Sequence, residues 1–127
     1  MNNDPLYREI ILAHWQDPQN YGVIAHADFD ATETNPFCGD EMRVTGKIKN
    51  NKIISIAFMG EGCAISKASA SLLTGKIKGM NLHEVEILTA GDVLKELGVQ
   101  LTPARTKCAV LILQTVQKAL HKTKSIT

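Results

Sequence analysis

From Glu41 onward the apolar residues of this chain recur at every second position, and that period leaves little choice of local structure. Met42, Val44, Gly46 and Ile48 fall on one side, with Glu41, Arg43, Thr45 and Lys47 on the other, the pattern of a strand with one buried face. Lys49-Asn50-Asn51-Lys52 then reads as a turn, and Ile54, Ile56 and Phe58 alternate after it. The expected element is an antiparallel hairpin. A short strand around Phe29–Thr34 can pair alongside it.

The rest of the chain changes period. Asp4 with Pro5 offers an N-cap and a first helical residue, and Leu6, Ile10, Ala13 and Trp15 recur at roughly helical spacing as far as Asp17-Pro18, where a helix should stop. Gln19-Asn20-Tyr21-Gly22 reads as a loop. After the hairpin, Ile65, Ala68, Leu72 and Leu73 through Ile77 form a helical pattern closed by Gly79. Asn81 with Glu84 resembles a capping box and predicts a helix over Val85–Leu88. A further helix runs from Asp92 to Leu97 and ends at Gly98. Thr102-Pro103 opens the last one, carrying Val110, Leu113, Val116 and Leu120. Strands first and helices afterwards predict an α+β fold, with the helices packed on one face of a small antiparallel sheet. The 127 residues suit a single domain spanning 1–127, large enough to bury a core without staples.

Charge narrows the function. With 14 basic and 13 acidic side chains the formal net charge is +1, so no positive excess drives binding to nucleic acid. The short tail His121-Lys122-Thr123-Lys124 reads as a solvated end. No membrane segment is expected, since the longest apolar run, Ala109 to Leu113, is far too short to span a bilayer. The polar N-terminus lacks a basic stretch followed by an apolar one, which predicts no export signal and a cytoplasmic location. Three cysteines in a reducing compartment do not make a disulfide framework. Metal ligation, a reactive thiol and plain core packing remain.

Each cysteine alone can be a small buried hydrophobe, but their surroundings are unusual. Cys38 sits in N-P-F-C-G-D. If Cys38-Gly39-Asp40 continues extended, sulfur and carboxylate point the same way, and Gly39 lets the backbone crowd an ion. The bland alternative is a turn with a solvated aspartate. Cys63 follows two glycines and precedes a helix rich in Ala and Ser. A helix N-terminus there favours the thiolate, and the small residues permit close packing. Cys108, about a turn and a half into the last helix, has Arg105 and Lys107 nearby, two cations able to stabilise a thiolate or meet an anionic partner. None of the spacings is the C-x-x-C of a zinc ribbon or thioredoxin motif. Should the three cysteines meet, Asp40 completes a set of four that suits tetrahedral Zn²⁺ or an iron–sulfur cluster with one oxygen ligand. His14, His26, His83 and His121 lie away from these motifs and read as ordinary surface or packing residues.

In their order, N-P-F-C-G-D, G-E-G-C-A-I-S-K-A-S-A-S and R-T-K-C-A, preceded by D-P-Q-N-Y-G, resemble the signatures of the IscU/SufU/NifU N-terminal family of iron–sulfur assembly proteins. The resemblance runs from about Tyr7 to Leu120. It implies a three-stranded antiparallel sheet and the convergence of Cys38, Asp40, Cys63 and Cys108 at one exposed end, holding Zn²⁺ or a [2Fe–2S] cluster. A cysteine desulfurase is the implied sulfur donor, one of Cys38, Cys63 and Cys108 the persulfide acceptor, and apo-proteins or carriers the recipients of clusters. Arg105 is a candidate helper at the desulfurase. Two departures separate the chain from the IscU branch. Lys107 stands where that branch has a histidine, and Leu101-Thr102-Pro103-Ala104-Arg105 replaces its L-P-P-V-K chaperone segment, so the resemblance does not carry over a dedicated Hsp70-type chaperone. The motifs are SufU-like, but the short Gly79–Gln100 segment lacks the SufU insertion. Three functions follow: a cluster scaffold fed by persulfide, a zinc-dependent sulfur acceptor that never holds a cluster, or a zinc-stabilised domain without sulfur traffic.

Overall fold

The computed structural model describes residues 5–36 and 39–126. Helix α1 (Pro5–Gln16) leads into a loop and then a three-stranded antiparallel sheet of β1 (Phe29–Asn35), β2 (Asp40–Lys49) and β3 (Lys52–Glu61), in that spatial order. Four helices follow: α2 (Ala64–Ile77), α3 (Leu82–Glu86), α4 (Ala90–Leu97) and α5 (Pro103–Ile126). The α+β expectation holds. Phe29, Ala31, Met42, Val44, Ile56 and Phe58 from the sheet share one core with Leu73 and Ile77 of α2, Val93 and Leu97 of α4, and Ile112, Val116 and Leu120 of α5.

The hairpin turn works because asparagine tolerates the left-handed region. Asn50 and Asn51 have φ of 53° and 65°, the backbone of a two-residue turn whose twist matches that of the flanking strands. One detail departs from the alternating pattern. The register of β2 against β3 shifts at Lys47/Ile48, so that Lys47 pairs with Ser55 and Ile48 with Ile53. Ile54 is the extra residue of this bulge. It is 47% exposed, while Ile53 is fully buried, so Ile54 does not share a face with Ile56 and Phe58 as the sequence pattern implies.

Helix α1 also presents a different stripe. Among its described side chains Ile11 is buried, whereas Ala13 and Trp15 are exposed; Asp4 and the side chain of Leu6 lie outside what the structure describes. The loop that follows is fixed to the outer edge of β3: Phe58 N–H donates to the Asn20 carbonyl at 2.9 Å, and Gly22 N–H to the Phe58 carbonyl at 2.8 Å. The ring of Tyr21 meets that of Phe58 edge to face. The sheet edge is thereby covered.

The caps match their sequence signals. Asn81 and Glu84 form a reciprocal capping box, although α3 spans Leu82–Glu86 and not the stretch expected from Val85. A second box, Thr89 with Asp92, starts α4 two residues before the expected Asp92, and Gly98 ends it at φ 70°.

Gly46 has a clear steric reason. A Cβ there would lie 2.2 Å from the Phe29 ring and 2.6 Å from the Ser55 carbonyl oxygen, because Phe29 is its direct cross-strand partner. Gly46→Ala is expected to destabilise the fold by about 1–3 kcal/mol through overpacking. The urea midpoint should fall with an unchanged slope, and a midpoint equal to that of the parent protein would refute this account.

Candidate metal centre

Helix α2 is built to approach its neighbours closely. Its buried residues include Ser66, Ala68, Ser69, Ala70, Ser71 and Thr74, small side chains whose hydroxyls must find partners. Ser69 Oγ donates to the Ala109 carbonyl of α5 at 2.5 Å, and Ser66 Oγ lies 3.3 Å from the Cys108 carbonyl. Another side of α2 holds α1 and its loop. There the Ser71 hydroxyl meets His14 Nδ1 at 2.6 Å and accepts from the Gln19 N–H at 2.8 Å, while Asn20 Nδ2 donates to Thr74 Oγ1. His14 is thus a packing residue between two helices.

This packing sets the N-terminus of α2 beside α5 and the start of β2. Asp40 is the first residue of β2, Cys63 is the N-cap of α2, and Cys108 lies in the second turn of α5. One ligand atom from each, two sulfurs and a carboxylate oxygen, lies within 4.8 Å of the others. The Cys63 Sγ to Asp40 Oδ2 distance is 4.0 Å. Burial is graded: Asp40 is 4% and Cys108 3% exposed, whereas Cys63 is only half-buried. Of the three, Cys63 is the one that reaches the surface, and the other two are buried.

Cys38 lies outside the described residues. Arg105 is exposed in the first turn of α5. Lys107 is exposed too, lining a shallow surface pocket with Asn35, Pro36 and Leu111 on the flank of the site.

Two residues that the motif reading did not single out complete the local structure. Ser66, 1% exposed, donates its hydroxyl hydrogen to Asp40 Oδ2 and stands 3.8 Å from Cys63 Sγ. Its signal was its place three residues after Cys63, which puts both on one side of the first helical turn. Gly62 is the other. A Cβ there would stand 3.0 Å from the Ser66 Cβ and 3.3 Å from the Asp40 Cγ, so the bare glycine leaves room for the carboxylate.

The electrostatics favour a thiolate at Cys63. Burial pushes its pKa up, but the backbone amide and hydroxyl of Ser66 and the amide of Ile65 pull it down. Together they outweigh both burial and the nearby Asp40 charge, leaving the thiol below its ordinary range. This is the helix N-terminus acting on its cap, although the sulfur closes no capping hydrogen bond of normal geometry.

The donor set fits a soft or borderline divalent ion. Bond lengths of about 2.0–2.3 Å around tetrahedral Zn²⁺ imply ligand atoms roughly 3.3–3.8 Å apart. The 4.0 Å sulfur–oxygen separation is close to that range, within the reach of side-chain torsions.

Residues 6–127 match the family described as NifU-like N terminal domain. The chain belongs to this family. Among its relatives, the zinc-dependent sulfurtransferase SufU of Bacillus subtilis is 34% identical, aligned over 95% of this chain and 93% of that protein. The iron–sulfur cluster assembly scaffold protein IscU 1 of Archaeoglobus fulgidus is also 34% identical, over 91% of this chain and 74% of its own. The crystal structure of the N-terminal part of a NifU-like protein from Brucella abortus superposes with a TM-score of 0.79 over 98% of both chains. At 18% identity it speaks for the fold alone.

The burial gradient has a direct chemical consequence. In chelator-treated protein, iodoacetamide is expected to alkylate Cys63 at least about tenfold faster than Cys108, because Cys63 combines access with a favoured thiolate while Cys108 is buried. Peptide mass spectrometry over a time course reads both rates. Equal labelling of the two would contradict the described site.

Proposed function

We propose that this protein is an iron–sulfur cluster assembly protein that accepts persulfide sulfur from a cysteine desulfurase and holds the nascent [2Fe–2S] cluster at Asp40, Cys63 and Cys108, with Cys38 as the fourth ligand. The observation that carries this reading is the meeting of two thiols and a carboxylate from three distant segments, in a chain whose relatives include cluster scaffolds.

In the sulfur step, a thiolate attacks the outer sulfur of the donor's persulfide. The S–S bond of the donor breaks, its cysteine leaves as a thiolate, and a new S–S bond forms on the acceptor, so the exchange needs no external oxidant or reductant. Cys63 is the acceptor we favour, since it reaches the surface and its local hydrogen bonds favour the charged form. Arg105, exposed on α5, serves to dock the desulfurase. Iron and sulfide are the cargo, each sulfide being released from the acceptor persulfide by two electrons from an external thiol reductant, and apo-proteins or carriers receive the finished cluster. The proposed setting is the cytoplasm, whose reducing conditions keep cysteines as thiols; among the described residues no helix is long and apolar enough to cross a membrane.

A second reading has its own support. The SufU relative, named for zinc-dependent sulfur transfer, aligns over nearly the full length of both chains. Zn²⁺ held by the same four residues would keep the thiols deprotonated and make the chain a sulfur acceptor that never carries a cluster. Asp40, the hard ligand on a soft-leaning metal, is then the one released most readily.

One incubation separates the readings. With a desulfurase, cysteine and ferrous iron, the scaffold is expected to develop visible absorbance at about one cluster per chain or per pair of chains. Faster desulfurase turnover without colour would mark the zinc-dependent acceptor, and neither response would leave a zinc-stabilised domain. In parallel, freshly purified parent protein is expected to carry one metal ion per chain and the Cys38→Ala variant substantially less. Undiminished metal in that variant would remove Cys38 from the ligand set.

A further inference from the structure

We propose that Ser66 is the positioning residue that fixes the Asp40 carboxylate as the oxygen ligand of the centre. This inference rests on the metal-holding reading above and assigns a residue outside the four proposed ligands.

The argument begins with one proton. A serine hydroxyl has a single hydrogen to donate, and Ser66 has three acceptors near it: Asp40 Oδ2 in direct contact, the Cys108 carbonyl oxygen at 3.3 Å and Cys63 Sγ at 3.8 Å. The shortest contact is to the carboxylate, and a hydrogen bond to a charged oxygen is also the strongest of the three. Ser66 is thus committed to Asp40 while touching both cysteine-bearing segments.

Burial makes that commitment matter. Ser66 and Asp40 are 1% and 4% exposed, so the carboxylate depends on protein donors for what water would otherwise supply. With this bond in place Oδ2 lies within 4.0 Å of Cys63 Sγ. Helix α2 supplies the rigidity, since Ser66 is in its first turn and the next turn is tied to α5 through Ser69. Gly62 completes the arrangement by leaving the space beside both residues clear. An outer hydrogen bond of this kind orients a ligand and strengthens metal binding.

The test uses full-length Ser66→Ala, Ser66→Thr, Asp40→Ala and the Asp40→Ala/Ser66→Ala double variant. Zn²⁺ affinity is read by competition with a chromophoric chelator, and the ligand set by the visible spectrum of Co²⁺-loaded protein, with circular dichroism reporting the fold. Ser66→Ala is expected to weaken Zn²⁺ binding about 10–100-fold and to shift the Co²⁺ bands toward those of Asp40→Ala. Once Asp40 is absent, removing Ser66 should add less than roughly threefold, because the two act as one unit. Ser66→Thr keeps the hydroxyl and is expected to retain the parent spectrum, and it decides the matter should Ser66→Ala lose its fold.

Parent-like affinity and spectrum in Ser66→Ala overturn the proposal. So does an equal loss in the Asp40→Ala background, or an Asp40→Ala-like spectrum from Ser66→Thr. Failure of the underlying reading looks different: the parent protein itself would bind neither ion, or would bind both undiminished after Cys63→Ala.

Discussion

The close approach of α2 to α5 is the contact on which the candidate centre depends. It is made by small side chains. Ser66 and Ser69 reach the backbone carbonyls of Cys108 and Ala109, an approach that large apolar side chains at those positions would prevent. The same helix is held elsewhere through Ser71 and Thr74 to α1 and its loop. A helix fixed on both sides cannot slide, so its N-terminal cysteine has one address. Buried hydroxyls give this packing direction, because each must meet a partner and this registration of the helices supplies them.

That rigidity serves a site of deliberately mixed chemistry. Two sulfurs and one carboxylate oxygen bind a borderline or soft ion unequally, and burial is unequal as well, with Cys63 outermost and Asp40 and Cys108 beneath. Under the proposed function, a partner that delivers sulfur meets Cys63 before the buried Cys108. Under that function the deeper thiol, Cys108, would keep hold of a metal while Cys63 exchanges. Storage and transfer ask opposite things of a ligand set, and under the proposed function a graded site would reconcile them through depth.

Much of the fold was legible because it rests on local rules. The two-residue period of β2, the Asn-Asn turn, the Asn81–Glu84 box and Gly98 at the end of α4 each act within a few residues of themselves. Where the reading slipped, a longer-range interaction had intervened. Ile54 fits a simple alternation, but the bulge against Lys47 and Ile48 turns it to solvent and sends Ile53 into the core. Likewise α1 buries Ile11 and exposes Trp15, since the face a helix presents is chosen by what it packs against.

For the site the division is sharper. The sequence by itself determined the donors, three thiols and a nearby carboxylate, and it placed Cys63 at a helix start, where amides favour its charged form. These are properties of residue type and local chain direction. Only the tertiary structure decided that Asp40, Cys63 and Cys108 meet, that Cys63 lies outermost, and that Ser66 stands among them. Distances between residues far apart in the chain follow from how helices and sheet pack, and no short-range period encodes them.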